Sequence, residues 1–225
     1  MYHYVEDKEF LKRAQRVCSN LVVELEEALR EEGINSQFFL IGSGGRNMVT
    51  QNEEGPIDFD YNLNILSCDD FNDCKVIKET VRWAFNKVLR NNGLSDCDDS
   101  TSSLTTKHIH FNGDDDSNEF SIDVGIVTKG RNGNWNRLKH EKSFIGFMCY
   151  QDRYYWNEGP NLDKCKEKAM AIKLIPGCWD YVRDRYLELK NHYLRSNDYN
   201  HPSFVCYIQT VNDAYNHMKQ KGLFD

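Results

Sequence analysis

The chain is poor in proline, with 4 in 225 residues, and it has no low-complexity tract and no internal repeat. Those absences exclude a long disordered linker and a solenoid array. No apolar run approaches the roughly 20 residues that a membrane helix needs. The N-terminal MYHYVEDKEF is charged and has no apolar signal core, so a cytoplasmic protein with no membrane partner is expected. Eight cysteines are present without a CxxC pair. They read as free thiols, and a structural zinc site is not expected. Positive charge is also short: the net charge is -7. A polynucleotide backbone is gripped by clustered cations, so long nucleic acid is disfavoured as a partner. The shortage is uneven, since residues 161–225 carry 10 Lys+Arg against 8 Asp+Glu, and residues 1–160 carry 18 against 27.

The remaining composition, 40% hydrophobic and 28% charged, suits a soluble globular chain with a sizeable core. Leu11, Ala14, Cys18, Leu21, Leu25 and Ala28 recur at helical spacing and predict a helix over 8–32, closed by Gly33. Phe38 to Ile41 reads as a buried strand followed by a glycine-rich turn. Residues 57–66 alternate apolar and polar, the pattern of a strand with one buried face. A second helix is expected over 73–92 and a loop over 94–102. An antiparallel hairpin is expected over 104–111 and 119–128, with Asp114-Asp115-Asp116 at its solvated tip. Pairing His108 with Asp123 places Ile109 opposite Ile122 and Phe111 opposite Phe120, which puts the apolar side chains on one face. Residues 129–160 look irregular and aromatic-rich. Helices follow over about 161–175, 178–195 and 203–221. The fold class is therefore α/β (α+β): a mixed sheet flanked by helices in residues 1–160, with a C-terminal helical region over 161–225.

Three features carry chemistry. Gly42-Ser43-Gly44-Gly45-Arg46 follows a strand, and small residues there let backbone N–H groups approach phosphate oxygens. It lacks the third glycine of a dinucleotide fingerprint and the Gly-Lys-Ser/Thr of a Walker loop. Asp58 and Asp60 stand two apart on a strand and so project to one face. Two such carboxylates repel each other unless a cation lies between them, which makes them a natural divalent-metal clamp. Asp123 is a charge set in the apolar strand 120–127, costly unless paired or metal-bound. Three acids on one face could hold two Mg²⁺ ions about 3.5–4 Å apart. The plainer alternatives are an amphipathic edge strand for Asp58 and Asp60, and pairing of Asp123 with Lys107 or His108.

The order strand, Gly-Ser turn, Asp-x-Asp strand, later single-Asp strand resembles the DNA polymerase beta-like nucleotidyltransferase superfamily. Its members include poly(A) polymerases, CCA-adding enzymes, aminoglycoside and toxin–antitoxin nucleotidyltransferases, and oligoadenylate and cyclic-dinucleotide synthases. Ile41-Gly42-Ser43, Asp58-Phe59-Asp60-Tyr61 and Gly42 to Arg46 carry the match over roughly residues 35–128. The 14 residues between Ser43 and Asp58 exceed the usual spacing, and Gln51 to Gly55 reads as a small insertion. The resemblance implies transfer of a nucleoside monophosphate from a nucleoside triphosphate such as ATP, with Mg²⁺ (or Mn²⁺) as cofactor. It implies triphosphate contacts from Gly42, Ser43 and Arg46, and metal binding by Asp58, Asp60 and Asp123. Asp123 would also help deprotonate the acceptor hydroxyl. Lys173, ahead of Lys166, is the candidate for the lysine that meets the triphosphate in related enzymes; a solvated helix face is its other reading. His108 and His110 are either metal-associated or ordinary strand histidines. The acceptor is left open among a small molecule, a protein and a nucleotide. A different function class also stays open: a catalytically idle module of this fold that binds nucleotide or a partner protein.

Overall fold

The computed structural model describes residues 1–111, 119–146, 149–198 and 201–224, and the side chains of residues 149 and 150 are left aside. In chain order the elements are β1 (Tyr2–Tyr4), α1 (Lys8–Glu31), β2 (Asn35–Leu40), β3 (Thr50–Asn52), β4 (Ile57–Ser67), α2 (Cys74–Asn91), β5 (Asp98–Asp99), β6 (Leu104–Ile109), β7 (Phe120–Lys129), β8 (Trp135–Gly146), β9 (Cys149–Glu158), α3 (Asp163–Lys173), α4 (Cys178–Arg195) and α5 (Ser203–Gln220). They form two compact units. One comprises Glu6–Gly45 and Pro56–Pro160, and the other comprises Met1–Val5, Arg46–Gly55 and Asn161–Asp225. No helix among the described residues is long and apolar enough to cross a membrane.

The first unit is a mixed sheet with helices on one face. Its strand order is β2-β4-β7-β6-β5, with β8 added to β7 and β9 to β8. Strands β4 and β7 run parallel, and the other pairings are antiparallel. Period-two alternation puts Phe59, Tyr61, Leu63 and Ile65 of β4 on the buried face, beside Phe120, Ile122, Val124 and Ile126 of β7. Helix α1 lies against that face: Phe10 meets Phe120 edge-on at 6.2 Å, and Ser19 Oγ is 3.2 Å from the Tyr61 hydroxyl. Both helices open on aspartate caps. Asp7 accepts from the Phe10 N–H at 2.9 Å and Asp73 from the Val76 N–H at 3.0 Å, each satisfying an otherwise unpaired first-turn donor.

Two expectations are corrected here. Residues 135–158 are not irregular: β8 and β9 form a long hairpin paired from Asn136–Glu158 to Gly146–Cys149. The hairpin of β6 and β7 has a different register. Asp123 faces Thr105, and Ile109 faces Phe120 rather than Ile122. A register shift between Thr106 and Ile109, with His108 in the left-handed region at φ 58, inserts an extra residue and returns Ile109 to the core. Asp114-Asp115-Asp116 lie outside the described residues.

The second unit packs α3, α4 and α5 around Ile172, Val182, Tyr186, Val211, Ala214 and Met218, with Met48 in the same cluster. The ribbon β1–β3 belongs to it and includes Gln51, which is opposite His3. Asn191 on α4 accepts from the Tyr2 N–H at 2.7 Å and donates to its C=O at 2.9 Å. That side chain stands in for a missing neighbouring strand on β1.

Candidate active site

The site rests on β4 and β7. Asp60 and Asp123 are partners in the parallel ladder, Asp58 is opposite Ser121, and Asn62 is opposite Gly125. Asp58, Asp60 and Asn62 therefore share one face with Ser121, Asp123 and Gly125, away from the helices. Two hydroxyls steady the outer acids: Ser121 donates to Asp58 and Thr105 donates to Asp123. Asp123 is set half-buried, and this burial pushes its carboxyl above the ordinary range. Thr105 works against that rise, and the like charge of Asp58 adds to it.

The glycine turn is built against Asp60. The Ile41 N–H donates to the Asp60 C=O at 2.8 Å, closing the end of β2 onto β4. Gly42 follows at φ +62, and a Cβ there would overlap the Asp60 carboxylate. Only glycine fits both the left-handed backbone and that close approach. Ser43 comes next, half-buried in the turn.

The acids are not placed alone. Arg137 of β8 donates from Nη2 to Asn62 Oδ1 at 2.7 Å and from Nη1 to the Ser102 C=O at 3.3 Å. Its guanidinium occupies space that a Cβ on Gly125 would fill. Burial pulls this guanidinium below its usual range, while Asp60 and Asp123 raise it. Reading the sequence missed Arg137, because its strand was not recognised. Its buried positions are Leu138 and His140, and a single apolar residue gave little signal of a strand there.

The other candidates are placed as follows. Arg46 and Lys173 belong to the unit that does not contain the acids. Arg46 lies over the Tyr207 ring at 3.9 Å and Lys173 over the Trp179 ring at 4.4 Å. Lys166 is exposed and pairs with Asp163 at 3.5 Å. His108 and His110 are paired with Glu119, at 2.5 and 4.0 Å. Lys107 is paired with Asp98 at 2.9 Å, and Thr105 rather than Lys107 or His108 is opposite Asp123, although the Lys107 charge still acts on that carboxyl.

Among the described residues, no three His, Cys, Asp or Glu side chains stand close enough to hold a metal ion by themselves. The donor chemistry still fits a hard divalent cation. Mg²⁺ is ordinarily bound by one or two carboxylates and completed by water and substrate phosphate oxygens. The mutual repulsion of Asp58 and Asp123 is the condition that such an ion relieves.

No family model and no curated protein matches the sequence. Solved structures match the fold, among them a di-nucleotide cyclase. One is CdnC of E. coli MS115-1 with ATP: TM-score 0.53, 15% identity, covering 94% of this chain and 62% of that one. The same CdnC in complex with HORMA-deltaN gives 0.52 and 15%, covering 92% and 60%. The Vibrio cholerae di-nucleotide cyclase DncV, with GTP and 5MTHFGLU2, gives 0.52 and 16%, covering 89% and 53%. The chain thus spans less than two thirds of the length of each.

Proposed function

We propose that this chain is a divalent-metal-dependent nucleotidyltransferase. It moves a nucleoside monophosphate from a nucleoside triphosphate to an acceptor hydroxyl and releases pyrophosphate. The observation that carries this reading is the register of Asp60 with Asp123, with Asp58 on the same face and the Gly42 turn backed onto Asp60. The fold likeness to structures holding ATP or GTP supports it.

In this reading the Gly42–Ser43 turn binds triphosphate oxygens through backbone N–H groups and the Ser43 hydroxyl. Asp58, Asp60 and Asp123 would hold Mg²⁺ or Mn²⁺, two ions in the full set, which supplies charge neutralisation at the leaving pyrophosphate. Asp123 takes the proton of the acceptor hydroxyl. The acceptor oxygen forms its bond to the α-phosphorus as the bond from that phosphorus to the bridging oxygen breaks. Pyrophosphate leaves with that electron pair. A carboxyl pushed up by burial is a better base for this transfer than an ordinary aspartate.

The test combines calorimetry with a nonhydrolysable triphosphate and a pyrophosphate-release assay. Wild type binds with Mg²⁺ and loses binding in EDTA. Asp60→Asn weakens binding, while Asp123→Asn keeps much of it and loses turnover, as a group acting mainly in the transition state does. Equal binding in EDTA ends the metal reading. Metal-dependent binding without pyrophosphate release, for every base and acceptor tried, makes the idle module the better account.

A further inference from the structure

The face that carries the acids continues past them. Phe39 of β2 is opposite Asn62, and Trp135 of β8 is opposite Lys129, an even number of residues beyond Asp123 on β7. Both side chains therefore stand on the same face as Asp60 and Asp123. Their rings meet edge-on with centroids 6.4 Å apart, although β4 and β7 lie between their strands. Large aromatics normally seek burial, yet Phe39 is 39% exposed and Trp135 38%. Arg137 stands on the same face, opposite Val127, fixed by Asn62 and the Ser102 C=O, which use two of its five N–H donors. The next polar residue on the face, Asn64, is only 7% exposed, and its Oδ1 has no hydrogen-bond partner.

We propose that Phe39 and Trp135 form a stacking platform for a nucleobase on the acid-bearing face, and that Arg137 reads the base edge in favour of a guanine. The platform supplies an aromatic surface, which every base can use. Arg137 supplies donors in the fork that matches the O6 and N7 acceptors of guanine, whereas adenine offers an amino group at the first of those positions. This rests on the nucleotidyltransferase reading for its biological sense, but the platform is testable without any reaction.

The probes are GMP and AMP, which contain the base and no triphosphate. Their binding is followed by calorimetry and by the indole N–H resonance of Trp135 in the full chain. Wild type is expected to bind GMP more tightly than AMP and to shift that resonance. Phe39→Ala and Trp135→Ala are expected to weaken both nucleotides about tenfold. Arg137→Gln is expected to remove the preference for GMP while leaving stacking, and Arg137→Lys to restore it only in part. Thermal melts of each variant separate loss of binding from loss of folding. Folded Trp135 and Phe39 variants with wild-type affinity would overturn the platform, and an unchanged GMP preference in Arg137→Gln would overturn the reading of the edge. If GMP shifts Trp135 as expected but the wild type releases no pyrophosphate from any triphosphate, the platform stands and the transfer reading falls. If pyrophosphate is released while neither nucleotide disturbs Trp135, the transfer reading stands and the platform falls.

Discussion

The guanidinium of Arg137 lies where the side chain of Gly125 would be, so the missing Cβ on β7 is what lets β8 lay a cation beside the acids. The pairing is local packing with an electrostatic result. Asp60 and Asp123 are held near a fixed positive charge that Asn62 and the Ser102 C=O keep in place.

Gly125→Ala should therefore displace Arg137 rather than the backbone, because the group it meets is the far end of a long side chain. The expected cost is about 1–3 kcal/mol, from overpacking and two lost hydrogen bonds. In a chain of this size that is a fall in Tm of several degrees. If the clash is the cause, the cost should shrink when Arg137→Met is present as well, giving a non-additive double-mutant cycle. Additive costs would show that Gly125 matters for its backbone alone.

Gly42→Ala meets a harder obstacle. Its backbone is at φ +62, which alanine adopts with strain, and its Cβ would overlap the Asp60 carboxylate. We expect about 1–3 kcal/mol of destabilisation and, beyond that, loss of metal-dependent triphosphate binding, because Asp60 must turn away. A control substitution in open space is Gly33→Ala, at φ +77 with nothing near its Cβ. It should cost a similar strain and leave triphosphate binding intact. Calorimetry on the two folded variants distinguishes them.

The acids were legible in the sequence because a strand has a rigid period of two, so Asp58 and Asp60 had to share a face. Parallel pairing with Asp123 in direct register is a tertiary fact that no local pattern states. The hairpin register failed at Lys107 and His108, where an extra residue in a left-handed conformation shifts the pairing. A polar pair gives no signal for such a bulge. The β8–β9 hairpin was missed for a related reason. Leu138 and His140 are the residues of β8 that are buried, so a strand held by long polar and aromatic side chains lacks the apolar alternation that announces one.

Buried charge away from the site gives a stability prediction. Lys78 and Asp99 are bonded at 2.7 Å with side chains 2% and 5% exposed, and His140 Nδ1 is 2.7 Å from the same carboxylate. Burial alone would raise the Asp99 carboxyl, but Lys78 and His140 hold it below the ordinary aspartate range. A depressed folded-state value means stability that is present above the unfolded value and lost as pH falls through the folded one. Stability should thus drop on acidifying below about pH 4, and Asp99→Asn should flatten that part of the curve. The same variant leaves the Lys78 ammonium buried without its carboxylate, so at neutral pH it should cost about 3–5 kcal/mol. Urea denaturation across pH reads both. A neutral-pH cost below about 1 kcal/mol would mean that water reaches the pair.

Asp123 has the opposite sign. Burial first, and the nearby Asp58 charge with it, push its folded-state carboxyl above the ordinary range, with Thr105 only partly offsetting them. The folded chain therefore holds this proton to higher pH than the unfolded chain does. Ionisation of Asp123 opposes folding, and the penalty is in full force at neutral pH, above both values. As pH falls through the folded value the penalty fades, and below the unfolded value it is gone. Asp123→Asn keeps the shape and can still accept from Thr105, but it removes the charge. We expect it to be more stable than wild type at pH 7, by about 2–4 °C in Tm for each 1 kcal/mol of repulsion removed. The gap should close on acidification. An activity-poor variant that is also more stable is the pattern of a group kept for function against its structural interest. Saturating Mg²⁺ with a nonhydrolysable triphosphate should raise both proteins at pH 7 and keep their order, because Asp123→Asn retains much of the binding and a ligand stabilises the folded state according to its affinity. Paired melts with and without ligand, at neutral and acidic pH, decide the matter. An Asp123→Asn protein that is less stable than wild type at neutral pH would show that Asp123 is held by contacts stronger than its repulsion from Asp58, and that it is a structural acid.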